Sequence, residues 1–136
     1  MDVNNIGPGD EFADVLDRTL EATDVMLVVI GKSWSQVTDK EGRLRLDDRD
    51  DYVRREIVRA LELNVRVVPV LVQDAVLPSE SELPEPLKRL RGRQAVRLRH
   101  DRWGDDVKSL IDALRVAGLA HWKWHIGPGS PLQSIW

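Results

Sequence analysis

Val25-Met26-Leu27-Val28-Val29-Ile30 is an uninterrupted apolar run, and it decides the class of fold. A run so rich in β-branched residues predicts a strand that is buried on both faces, and Gly31 ends it. Val65–Val72 is a second run of this kind, although Pro69 is unusual inside a central strand. Gln94–Leu98 alternates more weakly and predicts a third strand near an edge.

Amphipathic helices are predicted before, between and after these runs. Asp10 is a suitable N-cap for a first helix, whose apolar side chains recur at helical spacing: Phe12, Val15, Leu16 and Leu20. Asp50 or Asp51 can cap a second helix that runs to about Leu63. A short helix, Pro86–Leu90, precedes the third strand, and an amphipathic helix follows that strand.

The alternation of helices and strands predicts an α/β fold with a parallel sheet that is covered on both faces. We expect Val25–Ile30 and Val65–Val72 to be adjacent, parallel and central, with Gln94–Leu98 beside the latter. Lys32–Arg49 is polar and has no periodicity, so it is predicted to be a long loop.

The composition excludes several classes of protein. The chain has 136 residues, of which 42% are hydrophobic and 32% are charged, so one folded domain is expected. The absence of cysteine excludes disulfides and thiolate chemistry. The net charge of −3 argues against a nucleic-acid partner. We see neither a signal peptide nor an apolar run of the ~20 residues that a membrane span requires, and therefore expect a cytoplasmic protein without a membrane partner.

The common catalytic and metal-binding motifs are missing from the sequence. His100, His121 and His125 have no spacing typical of a metal site, so surface or packing roles are expected and no metal is predicted. No glycine-rich phosphate loop and no nucleophile elbow is present. The charged run Asp47-Asp48-Arg49-Asp50-Asp51 is typical of a solvated loop and a helix cap.

Glu56 is the polar residue with the most informative position. On the predicted second helix it borders the apolar stripe that includes Val53 and Ala60. A carboxylate held against apolar side chains is a candidate functional group. The residue pattern alone favours the alternative, which is a surface Glu paired with Arg55 or Arg59.

Five motifs follow one another along the chain. Ile6-Gly7-Pro8-Gly9 precedes the first amphipathic helix, and Val28–Trp34 is a strand with a trailing Ser and Trp. Asp51–Ile57 places an aromatic residue four positions before a Glu. Val68–Val72 is followed by two Leu-Pro pairs, and Trp103 stands ahead of the last helix. In order and spacing, these motifs resemble those of bacterial Toll/interleukin-1 receptor (TIR) domains.

The resemblance covers about residues 1–117 and implies a flavodoxin-like parallel sheet of strand order 2-1-3-4-5, with a signalling or defence role. Many bacterial TIR domains resemble NAD+ hydrolases, for which NAD+ is a substrate and no cofactor is tightly bound. The catalytic residue of the family is the Glu of the third helix, which by position is Glu56. The resemblance also implies aromatic walls from Trp34 and Tyr52, a covering loop formed by Ile6, Gly7, Pro8 and Gly9, and self-association with other TIR domains.

The sequence departs from the family at both ends. The first strand and first helix of the family have no counterpart, so we expect an N-terminally truncated domain. One edge of Val25–Ile30 then lacks its usual neighbour, which predicts marginal stability or self-association. Residues 118–136 are expected to be a Trp-rich tail or linker. If this tail covers the open edge, Trp122 or Trp124 should lie against the sheet.

Three functions follow as hypotheses. The first is an NAD+ glycohydrolase, in which Glu56 lines a cleft near Trp34 and the Ile6–Gly9 loop at the C-terminal ends of the strands. Because this Glu is expected to be half-exposed, its replacement by Gln should hardly change the stability. The second is a non-catalytic module that assembles with other TIR domains. The third is an enzyme resembling nucleoside deoxyribosyltransferases, whose other active-site residues are not recognisable here.

Overall fold

The fold is built on a four-stranded sheet in which each strand is parallel to its neighbours. The computed structural model describes residues 10–38, 40–49 and 51–126. In chain order, the helices and strands are α1 Asp10–Glu21, β1 Val25–Ile30, α2 Tyr52–Glu62, β2 Arg66–Val72, β3 Val96–Leu98, α3 Trp103–Val116 and β4 Trp122–Ile126. The strand order across the sheet is β3-β2-β1-β4. The predicted α/β class and the predicted arrangement of the first three strands are confirmed.

β1 lies inside the sheet, and each of its residues is buried. Met26, Val28 and Ile30 pack against α1 and α2, in a cluster of apolar side chains that we call the first core. Val25, Leu27 and Val29 point to the other face and pack against α3, in the second core. Because the two faces of β1 contribute side chains to two different cores, an apolar residue is needed at every position of the run.

Pro69 lies within β2, opposite Val28 of β1. β3 begins to pair with β2 only at Val70, so Pro69 has a neighbouring strand on one side. A proline lacks the N–H that a strand with two neighbours would use, and it is tolerated where pairing on one side is missing. The short length of β3 thus accounts for the unusual residue in β2.

The N-terminus of α2 is fixed by charged groups. Asp51, which is 7% exposed, is the N-cap, and its carboxylate accepts a hydrogen bond from the backbone N–H of Arg54 at 3.1 Å. The Nε atom of Arg45 donates to the same carboxylate at 2.7 Å. The predicted capping role is therefore confirmed for Asp51, and the loop before α2 is attached to the helix by an ion pair.

Two of the predicted irregular or short segments contain more structure than the sequence indicated. Within the predicted loop 32–49, Trp34–Gln36 and Arg45–Asp47 are short 3-10 helices. Thr38 and Leu44 pair as an isolated antiparallel bridge. The helix predicted at Pro86–Leu90 is longer, covers Glu85–Gly92 and has 3-10 geometry.

β4 pairs in parallel with the edge of β1 that β2 leaves free. The carboxylate of Asp24 fixes the entry to this strand, because it accepts from the backbone N–H of Ala120 at 3.1 Å and of His121 at 3.0 Å. Trp122 and Trp124 pack against the second core. The expectation that a tail tryptophan lies against the sheet is confirmed, and residues 122–126 form a strand of that sheet.

Candidate functional site

The two faces of β4 carry different chemistry. In the register of the sheet, Lys123 lies beside Met26 and His125 beside Val28, both of which face the first core. Neighbouring residues in register point to the same side of a sheet. Lys123 and His125 therefore point towards α1 and α2, while the tryptophans of β4 point towards α3.

Glu56 meets this polar face of β4 from α2. Its helix neighbours Val53, Ile57 and Ala60 are all buried in the first core, and the Glu56 residue itself is 2% exposed. The expectation of a half-exposed or surface Glu56 is therefore wrong. Arg59, one of its two expected partners, pairs instead with Asp17 and Glu62. The helix turns Glu56 inward because residues at i−3 and i+4 share the face that contacts the sheet.

Glu56, Lys123 and His125 form a compact cluster, which we call the Glu56 cluster. The Glu56 Oε2 atom lies 3.0 Å from Lys123 Nζ and 3.7 Å from His125 Nε2. The side chains of Glu56 and His125 are 2% and 6% exposed, whereas that of Lys123 is 29% exposed. A carboxylate withdrawn from water needs a charged partner, and the lysine ammonium provides it.

Hydrogen bonding within the Glu56 cluster is incomplete. Among the described residues, neither Glu56 Oε2 nor His125 Nδ1 has a hydrogen-bond partner. The 3.0 Å contact to Lys123 thus has the length of an ion pair without the alignment of a hydrogen bond. Buried polar atoms of this kind are uncommon, and each one calls for an explanation.

The protonation of His125 follows from its burial. Desolvation lowers the pKa of the imidazole below its usual value, and the nearby ammonium of Lys123 acts in the same direction. The carboxylate of Glu56 opposes this shift without cancelling it. Near neutral pH the ring is therefore uncharged, and Lys123 supplies the positive charge of the Glu56 cluster.

Among the surface clefts of the described structure are two that Glu56 does not line. The first has a volume of about 240 Å³ and lies along α1 and α2, with Arg54, Arg55 and Arg59 in its wall. The second, of about 550 Å³, is formed by residues 43, 44 and 47–49. Within the described part of the chain, no group of three or more His, Asp or Glu residues could hold a metal ion.

The family model of the TIR domain matches residues 1–111. The chain belongs to the TIR domain family. No curated protein matches the chain. Within residues 10–38, 40–49 and 51–126, no helix is long and apolar enough to cross a membrane. TIR domains are signalling and defence modules that commonly associate with one another, and the parallel sheet described above agrees with the flavodoxin-like fold of this family.

The predicted site residues of this TIR domain are placed as follows. Glu56 lies in the cluster with Lys123 and His125. Trp34 is 7% exposed and packs in the first core together with Ile57, the helix neighbour of Glu56. Tyr52 is the first residue of α2, and its side chain lies outside the described structure, as do all residues of the predicted loop Ile6–Gly9.

Sequence reasoning missed the roles of Lys123 and His125. The alternation of Trp122 and Trp124 predicts a strand, and the residues between and after them must then point to the opposite face. A lysine and a histidine on that face of a covered sheet require a polar partner. The sequence therefore indicated that Lys123 and His125 need a polar partner, but it did not identify Glu56, which is far from them along the chain.

Proposed function

We propose that this TIR domain acts on NAD+ as a glycohydrolase and that Glu56 is its catalytic carboxylate. In the reaction, the bond between the ribose C1′ atom and the nicotinamide nitrogen breaks, and nicotinamide leaves with the electron pair. A water oxygen bonds to C1′ and releases a proton, so that NAD+ and water give nicotinamide, ADP-ribose and H+. Positive charge develops on the ribose before the water attacks, as in other glycoside hydrolyses.

A carboxylate beside the ribose would stabilise that charge. Glu56 has the position in α2 of the catalytic Glu that the resemblance implies. Trp34 and Tyr52 are proposed as aromatic contacts of the ligand, and Ile6, Gly7, Pro8 and Gly9 as a loop over the site. NAD+ is then a substrate that exchanges freely and not a resident cofactor.

The observation that carries the proposal is the burial of Glu56 with an unsatisfied carboxylate oxygen. A Glu that served only helix formation would be more stable on the solvated side of α2, where no desolvation is involved. Groups kept in an unfavourable environment are enriched at functional sites, because catalysis needs a preorganised charge.

The direct test is the release of nicotinamide from NAD+ by the wild-type chain and by Glu56→Gln. Gln preserves size and much of the hydrogen bonding but removes the charge, so we expect the rate to fall by about 10²–10³. Glu62→Gln is the matched control, since Glu62 lies on the same helix, is exposed and pairs only with Arg59 among the contacts described. Equal rates above background for wild type and Glu56→Gln would remove Glu56 from the mechanism.

A second candidate function is a non-catalytic module that binds other TIR domains. The observation in its favour is the inaccessibility of Glu56, which is 2% exposed. Under this alternative, nicotinamide release stays at background for all variants, while the chain self-associates in sedimentation experiments. A monomer that releases nicotinamide would contradict it.

A further inference from the structure

We propose that β4 is an inhibitory strand, which covers Glu56 with Lys123 and His125 and must move away before the carboxylate can reach a substrate. The regulatory part of this inference rests on the proposed function, whereas the cover itself does not. Three features of the structure support it: the burial of Glu56, the charge of Lys123 and the attachment of β4.

Glu56 is withdrawn from solvent. A carboxylate that stabilises a ribosyl cation has to touch the ribose, yet Glu56 is 2% exposed. Among the described residues, the groups within ion-pair distance of its Oε2 atom are Lys123 and His125, and both belong to β4. A substrate the size of a nucleotide therefore needs the β4 side of the carboxylate to open.

The charge of Lys123 opposes the proposed reaction. Lys123 Nζ lies 3.0 Å from Glu56 Oε2. In the closed state the carboxylate is therefore already paired with a positive charge, that of the lysine ammonium. A cation at this distance repels the positive charge that develops on the ribose, and the repulsion is strong where water is excluded. The arrangement is thus suited to holding Glu56 silent and opposes catalysis while it persists.

The attachment of β4 to the sheet allows it to move. Among the described strands, β4 is the outermost one on its side of the sheet; it pairs with β1 through residues 122–126, and β1 pairs with β2 along its other edge. The apolar anchors of β4, Trp122 and Trp124, lie on the opposite face from Glu56. Edge elements can open at lower free energy than the interior strands of the same sheet. β4 can therefore leave without disrupting the central pair.

Two variants loosen the cover in different ways. Lys123→Met keeps the apolar stem but removes the ammonium, and Trp124→Ala weakens the anchor on the α3 face while the ion pair stays intact. We expect nicotinamide release to rise about tenfold or more in each. Lys123→Arg keeps the charge and should stay near the wild-type rate. Lys108→Met, an exposed lysine on α3, gives the same change in net charge and should have no effect.

An independent measurement reports the cover itself. Carboxyl labelling with a water-soluble carbodiimide and an amine, read by mass spectrometry, compares Glu56 with Glu85, whose side chain is 86% exposed. In the wild-type chain we expect Glu56 to react at least about tenfold more slowly than Glu85, and to gain reactivity in Lys123→Met and Trp124→Ala. Circular dichroism verifies that each variant remains folded.

The outcomes separate the two proposals. Increased labelling together with increased nicotinamide release supports both. Increased labelling without release by any variant supports the cover and overturns the glycohydrolase. Labelling of wild-type Glu56 at the rate of Glu85 overturns the cover. A fall in release in folded Lys123→Met, with restoration in Lys123→Arg, overturns the inhibitory role and makes Lys123 a residue that positions Glu56.

Discussion

Helix α2 carries two clusters of opposite charges on its two sides, and they differ in almost every physical respect. On the inner side, Glu56 meets Lys123 and His125 with 2% of its side chain exposed. On the outer side, Arg59 pairs with Asp17 and Glu62, and we call these three residues the outer cluster. Their side chains are 38%, 30% and 53% exposed. The first cluster links the helix to the sheet edge, and the second links α2 to α1.

Stability alone would require the better hydrogen-bond geometry in the buried cluster, but it is found in the exposed one. Arg59 donates two hydrogen bonds to the carboxylate of Asp17, at 2.7 and 2.8 Å, in the paired geometry that guanidinium groups favour. The buried Glu56 Oε2 atom has an ion-pair neighbour but accepts no hydrogen bond from the described residues. Good geometry is thus found where desolvation is small, and poor geometry where it is large. This contrast favours a functional explanation for Glu56 and a structural one for Asp17.

The largest expected effect on stability is that of Lys123→Ala. It leaves Glu56 charged and buried, with a neutral histidine as its remaining neighbour. Loss of one partner of a buried pair is strongly destabilising; because Lys123 is 29% exposed, we expect a decrease of about 2–3 kcal/mol in the free energy of unfolding. Urea denaturation followed by circular dichroism measures it.

The double variant Glu56→Gln/Lys123→Ala, compared with each of its single variants, is the control for this prediction. It removes both charges and both desolvation penalties, so its stability should return to within about 1 kcal/mol of the wild type. If the changes in the free energy of unfolding are additive, Glu56 and Lys123 do not couple, and the Glu56 cluster is no different from a surface pair.

Much of the fold could be predicted because its strongest signals are local. β1 and β2 are apolar runs bounded by polar residues, and Asp51 is a cap directly ahead of an amphipathic segment. The position of β4 could be predicted only in part. The spacing of Trp122 and Trp124 indicates a strand face, but no local pattern specifies which edge of the sheet a strand joins.

The Glu56 cluster could be predicted only in part, because local sequence patterns do not specify contacts between distant parts of the chain. The helical pattern places Glu56 at the border of the buried stripe, where a small rotation of α2 decides between solvent and core. Arg59 stands three residues away and offers a surface partner that is easily recognised. Lys123 is separated from Glu56 by the whole of β2, β3 and α3, so only the folded chain brings them together.

The second prediction concerns pH and separates His125 from the outer cluster. Burial lowers the pKa of His125 in the folded chain below the unfolded value of 6.5. Between these two values the unfolded chain binds the proton and the folded chain does not, so stability falls as the pH decreases below about 6.5. In His125→Gln this loss should disappear, as seen in urea denaturation at about pH 8 and about pH 5.5.

His121→Gln is the matched control for the pH experiment, because the side chain of His121 is 75% exposed and lies at the start of the same strand. This variant should keep the wild-type loss of stability on acidification. Parallel behaviour of wild type and His125→Gln would show that the ring is not held neutral by burial, and would weaken the distinction between the inner and outer clusters.

The smallest effect is expected for Asp17→Asn, which removes the central contact of the outer cluster. Arg59 lowers the pKa of Asp17 through a hydrogen bond and through its charge, so the contribution of the pair to stability is present above pH 3.8 and is lost as the pH falls below that value. Both partners remain in contact with water, which keeps the contribution small, and salt should remove it as the Debye length decreases to about 3 Å near 1 M. We therefore expect a slight loss of stability in Asp17→Asn at low salt and none at about 1 M salt, measured by urea denaturation at neutral pH.

Asp14→Asn on the exposed face of the same helix controls for the change in net charge. Lys123→Ala, by contrast, should keep most of its effect at high salt, because a desolvated pair is screened much less. If Asp17→Asn proves as damaging as Lys123→Ala and equally insensitive to salt, the two sides of α2 do not differ in the way that their exposure indicates.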